Sequence, residues 1–136
     1  MSQRTSQKTI KKAYLDTNFI LRLSLEDIES QYLEAKETLS DVEKGNTEAH
    51  LSLLVVNEFC WISENYYNVP RKKYIPWLMK FLLLDKVKIV EVKKDLTIKV
   101  LKLMLKKNLD LTDLYLYTTR GNKTLLTFDK KLKKLL

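Results

Sequence analysis

Residues 47–58 read Thr47-Glu48-Ala49-His50-Leu51-Ser52-Leu53-Leu54-Val55-Val56-Asn57-Glu58 and change character in the middle. Residues 47–51 read as a short strand. Ser52 suits a helix N-cap, because its hydroxyl can accept from an unpaired amide of the first turn. A helix over residues 53–67 follows from it. The same exchange of short β-like runs with helical periods recurs on both sides. Parallel strands need a long crossover, usually a helix, so this alternation argues for an α/β domain with a mostly parallel sheet.

Upstream, residues 13–15 form a first β-like run that ends at Asp16, and residues 19–24 form a short helical piece. Ile28, Tyr32, Ala35, Leu39 and Val42 recur at steps of four and three, which marks a helix over 27–44. Gly45 closes it. Downstream, Pro70 suits the first turn of a helix that reaches residue 84, although Pro76 inside it removes a backbone bond. Residues 87–92 alternate as a third strand. Asp95 caps a helix to about residue 107, with Asn108 as a left-handed stop, and Asp110 caps another over 111–120. Residues 124–127 read as a fourth strand ending at Phe128-Asp129, and residues 130–136 add a short helix. Residues 1–11 are expected to be a flexible polar N-terminal arm, and residues 12–136 a single domain.

Composition bounds the chemistry. A length of 136 residues fits one domain, and two glycines and two prolines argue against a turn-rich sandwich. Cys60 is the single cysteine and His50 the single histidine, so an intrachain disulfide and a Cys/His zinc site are both excluded. A cytoplasmic setting is expected. Apolar runs such as residues 81–84 fall far short of the ~20 residues that cross a bilayer. The opening MSQRTSQKTIKK lacks the apolar stretch of a secretory signal. Net charge is +8, unevenly spread: residues 1–68 hold 7 basic and 11 acidic side chains, residues 69–136 hold 18 and 6. A basic half suits a polyanion such as nucleic acid, and equally a lysine-rich solvated surface.

Four carboxylates stand out against this background. Asp16 and Asp129 end the first and fourth strands, and Asp113 lies in the first turn of the helix from Leu111. The crevice of an open parallel sheet lies at the carboxyl ends of its strands, where such groups can meet. Singly, Asp16 and Asp129 also suit turns, and Asp113 suits the positive end of its helix. Glu58 has Leu54, Val55, Trp61 and Ile62 as its helical neighbours, so its carboxylate emerges from an apolar face and needs a cation or a distant lysine. Carboxylates without histidine suit Mg2+ or Mn2+. Such an ion can generate hydroxide and stabilise an in-line phosphoryl transition state.

The segments Leu15-Asp16-Thr17-Asn18, Val56-Asn57-Glu58, Leu111-Thr112-Asp113 and Leu126-Thr127-Phe128-Asp129, in this order and spacing, resemble the PIN-domain ribonucleases. Length and organisation are most similar to the VapC-type toxins of toxin–antitoxin pairs, over about residues 12–133. The resemblance implies a three-layer α/β/α fold around a parallel sheet of about four strands, ordered 3-2-1-4, with the family's fifth strand missing. It implies a metal-binding and catalytic cluster of Asp16, Glu58, Asp113 and Asp129, with Thr17, Asn18 and Thr127 orienting those carboxylates. It further implies Mg2+- or Mn2+-dependent hydrolysis of RNA phosphodiester bonds, an antitoxin protein as partner, and a homodimer. Arg22, Lys130 and Lys131 are candidate RNA contacts, with a surface ion pair to Glu26 as the other reading of Arg22. Two other readings remain: a PIN-like domain that processes or binds RNA or protein without a toxin role, and an aspartyl-phosphate protein. The latter is disfavoured because Asn18 stands where the phosphatase loop needs a second Asp.

Overall fold

The computed structural model describes residues 9–136. Most of the expected N-terminal arm, residues 1–8, lies outside the described residues; its last residue, Lys11, already opens the first strand. The strands are β1 (Lys11–Tyr14), β2 (Thr47–Leu51) and β3 (Val87–Ile89). Seven helices flank them: α1 (Thr17–Leu25), α2 (Glu29–Glu43), α3 (Leu53–Asn65), α4 (Arg71–Leu82), α5 (Lys94–Lys106), α6 (Leu111–Thr119) and α7 (Lys130–Leu135). β1 pairs with β2, and β2 with β3, both in parallel, so that Ala13 faces Ala49 and Ala49 faces Val87.

The central strand β2 buries Thr47, Ala49 and Leu51, and the helices bury one apolar stripe each. Ile20 and Leu21 of α1, Val56 and Phe59 of α3, Ile75 and Leu78 of α4, and Leu101 of α5 are fully enclosed. Each such side chain contributes roughly 1.5–3 kcal/mol through removal from water. Phe59 stacks on Trp77, which stacks on Phe81, so the aromatic zone between α3 and α4 is core. Cys60 is buried there as well, and burial pushes its thiol up to about 12, which makes it inert.

The helix signals have visible mechanisms. The Ser52 hydroxyl accepts from the Leu54 amide at 3.1 Å and donates to the Glu91 carboxylate, which also accepts from the Leu53 amide at 2.7 Å. The start of α3 is thereby tied to the chain just past β3. Gly45 has φ +81°, a conformation open to glycine, and follows α2 as expected. Pro76 lies in the second turn of α4, which runs through it. Asn108 is not left-handed, since Glu26 and Asn68 are the only described non-glycine residues with positive φ. α5 ends instead at Lys107 in extended backbone.

Three of the four expected strands form. Residues 124–128 form no regular element and pair with no strand, and β1 is an edge of the sheet among the described residues. The physical reason is sparse apolar burial along this run. Leu125 packs against the core, whereas Leu126 is 87% exposed and Phe128 98% exposed, so alternate side chains find nothing to pack on. Strand preference follows such packing more than backbone tendency. The third strand is likewise shorter than expected, because Val90 and Glu91 turn outward after Ile89. No helix among the described residues is long and apolar enough to cross a membrane.

Candidate metal centre

Asp16 lies two residues past the end of β1 and is the N-cap of α1, its carboxylate accepting from the Phe19 amide at 2.9 Å. Its backbone is extended while Thr17 is already helical, so the acid is fixed where strand becomes helix. The Thr17 side chain is buried and its hydroxyl donates to the Glu58 carboxylate. Asp16 and Glu58 are therefore linked through one intervening residue, on α1 and α3, which pack together.

Glu58 itself corrects an expectation. It does not emerge from a buried face: Leu54 is 76% exposed and Trp61 60% exposed, and Glu58 lies in solvent between them. The core-facing stripe of α3 runs instead through Val56, Phe59, Cys60 and Ser63. Periodicity misidentified the face because both sides of this helix are apolar. The desolvation argument for a bound cation at Glu58 consequently falls away.

Asp113 sits in the first turn of α6, and Asp129 is the N-cap of α7, where it accepts from the Leu132 amide at 2.9 Å. The Thr127 hydroxyl accepts from the Asp129 amide at 3.0 Å, which fixes the backbone of that acid. Both acids line an open cleft of about 370 Å³ with Asp110, Arg71, Lys130 and Lys131. Burial raises the Asp113 carboxyl above the ordinary range, and the neighbouring Asp110 and Asp129 raise it further. Asp16 borders a different cleft, of about 340 Å³, lined by β1 together with Thr38 and Asp41 of α2.

The two acidic pairs are joined at one point. The Thr112 hydroxyl donates to the Asn57 side-chain oxygen at 3.5 Å, between α6 and α3. These residues immediately precede Asp113 and Glu58. Even so, no three His, Cys, Asp or Glu side chains among the described residues converge closely enough to hold a metal ion. The donor chemistry, carboxylates alone, fits a hard divalent cation. The mutual repulsion around Asp113 marks where positive charge would relieve it.

Of the remaining candidates, Asn18 is exposed at the start of α1, and Lys130 and Lys131 are exposed at the start of α7. Arg22 is committed elsewhere. It donates to both oxygens of Asp27, at 2.9 and 2.7 Å, and to the Tyr67 hydroxyl at 2.9 Å. Its partner is thus Asp27, not Glu26, and its guanidinium is not free for RNA.

Sequence reasoning passed over Arg71, Glu64 and Tyr74. Arg71 donates to Glu64 and to three backbone carbonyls, and the Tyr74 hydroxyl donates to Glu64 at 2.9 Å. These bonds, Arg71 first, hold the Glu64 carboxyl below its usual range. A signal was present: α4 opens with Arg71-Lys72-Lys73, three cations at the positive end of a helix, where they are unfavourable without a partner.

The description "PIN domain" fits the family model that matches residues 13–135. No curated protein and no solved structure gives a significant match.

Proposed function

We propose that this chain, which belongs to the PIN-domain family, is a Mg2+- or Mn2+-dependent endoribonuclease. PIN domains are generally nucleases, commonly metal-dependent, and act on nucleic acid. The finer reading assigns Asp16, Glu58, Asp113 and Asp129 to the metal. The observation that supports it is the meeting of α3 and α6 at Asn57 and Thr112, next to Glu58 and Asp113, while Thr17 ties Glu58 to the Asp16 turn.

In this reading a bound cation would supply an activated water and stabilise charge on the phosphate. The protein's own groups do the rest. Thr17 holds the Glu58 carboxylate in one orientation, and Thr127 fixes the Asp129 turn. Asn18, exposed beside Asp16, is free to orient that acid or the substrate. Lys130 and Lys131, on the wall of the Asp113–Asp129 cleft, gather the phosphate backbone. The excess of basic charge in residues 69–136 acts in the same direction.

We read the cellular role as that of the toxin of a toxin–antitoxin pair, cytoplasmic, homodimeric and restrained by an antitoxin protein. The exposed stripe of Leu54 and Trp61 on α3, with Tyr66 beyond its end, supports a protein contact there. A second reading, an RNA- or protein-binding PIN domain without catalysis, is favoured by one observation: the carboxylates do not converge as a set of three among the described residues.

Incubation of mixed RNA with the purified protein and Mn2+, in parallel with a chelator, separates these readings. Cleavage with Mn2+ that stops with chelator and with Asp129→Asn supports the nuclease. Cleavage that survives the chelator overturns the metal mechanism. RNA binding without cleavage of any RNA in the pool supports the second reading.

A further inference from the structure

The guanidinium of Arg71 is the most heavily used polar group near the cleft. Its Nε donates to Glu64 Oε1 at 2.6 Å, and its Nη2 lies 3.3 Å from Glu64 Oε2, a two-point contact to α3. Its Nη1 donates to the carbonyls of Met104, Lys107 and Leu109 at 3.2, 3.1 and 2.8 Å. Nη2 also stands 3.7 Å from the Asp110 carboxylate. One rigid, planar fork on α4 thus fastens α3, the last turn of α5 and the short link into α6.

That link decides where Asp113 goes. Asp110 is the N-cap of α6, and its carbonyl accepts from the Leu114 amide at 3.1 Å, but its side chain makes no capping bond. The N-cap of α6 therefore lacks the side-chain latch that Asp16 and Asp129 supply at their own helix starts. Leu109, the residue before the cap, is buried and is held by the shortest of the three carbonyl bonds. A lysine cannot replace this arrangement, because an ammonium has no fork to serve a carboxylate and three carbonyls together.

We propose that Arg71 is a positioning residue for the cleft: it supplies from tertiary structure the latch that α6 lacks, and so sets Asp113 opposite Asp129. Arg71 need touch neither metal nor RNA to act. This inference rests on the metal reading for its consequence, though not for its geometry.

The test compares Arg71→Gln and Arg71→Lys with Lys94→Met. Lys94 makes a similar clamp remote from the cleft, donating to the carbonyls of Leu84 and Val87 at 2.9 and 2.8 Å. Hydrogen exchange of metal-free protein and Mn2+ titration calorimetry are the two readouts. Both Arg71 variants are expected to speed exchange at the Leu114 and Tyr115 amides about tenfold or more, and to weaken Mn2+ binding about tenfold, the usual scale for groups that orient metal ligands. Lys94→Met is expected to lower the melting temperature while leaving both readouts at wild-type values. If the Arg71 variants unfold, Glu64→Gln, which removes the charge that orients the fork, is expected to give the same two changes in milder form. Unchanged exchange at Leu114 in the folded variants overturns the proposal, as does a Mn2+ affinity that falls equally in Lys94→Met. A wild type that binds no Mn2+ ends the metal reading instead, and the exchange result alone then decides the role of Arg71.

Discussion

The Thr17 hydroxyl on α1 donates to the Glu58 carboxylate on α3, across 41 residues of sequence. Thr17 is buried and Glu58 exposed, so the bond points a solvent-facing carboxylate from a fixed base. It makes the acid's orientation a property of helix packing and removes the freedom of a lone surface side chain.

Thr17→Val keeps the shape and removes the donor. Stability should fall by about 1 kcal/mol, the typical net value of one hydrogen bond. Mn2+ affinity should fall about tenfold, and Thr17→Ser should restore most of it. Calorimetry on the three proteins checks this; equal Mn2+ affinity in Thr17→Val would show that Glu58 needs no orienting.

Asp113 links charge to pH. Its carboxyl is raised by burial first and by Asp110 and Asp129 next. A carboxyl raised in the folded state favours folding at low pH, and that contribution is lost as pH rises through its folded value. Metal-free Asp113→Asn should therefore melt above the wild type at pH 7, and the gap should close by about pH 3, below the ordinary carboxylate range. The gain should stay under ~1 kcal/mol, because the group is partly exposed and solvent screens the repulsion. A variant that melts lower at pH 7 would make Asp113 a structural helix-start residue.

Lys130 and Lys131 test the electrostatic footprint. Reversing each to Glu should weaken RNA binding and flatten its salt dependence by about 0.7 in log–log slope for each phosphate no longer neutralised. Stability should move by less than ~0.5 kcal/mol, since both side chains are exposed. Filter binding across a salt series gives the slope; a slope equal to wild type would remove these lysines from the RNA path.

Much of this layout was legible in the chain itself. Alternating periods, the Ser52 cap and Gly45 gave an α/β order that the structure follows through β1, β2, β3 and all seven helices. Leu126 and Phe128 misled, since an alternating run becomes a strand only where its apolar side chains find packing, and these two find none. Glu58 misled because α3 is apolar on both sides, and periodicity cannot say which side meets the sheet. Arg71 left only the trace of three cations that open α4, which does not name its partners. Its partners lie 7 residues away in Glu64 and 33–38 residues away in the α5–α6 link, and no local pattern encodes such a pairing.

We propose that two acidic pairs, Asp16 with Glu58 and Asp113 with Asp129, serve one ion. Mn2+ titration calorimetry of wild type, Asp16→Asn and Asp129→Asn tests it most directly. One Mn2+ per chain is expected in the wild type, with a similar loss of affinity, about tenfold or more, in each variant. A normal Mn2+ affinity in Asp16→Asn alongside a lost one in Asp129→Asn would contradict it, and would confine metal binding to the cleft of Asp113.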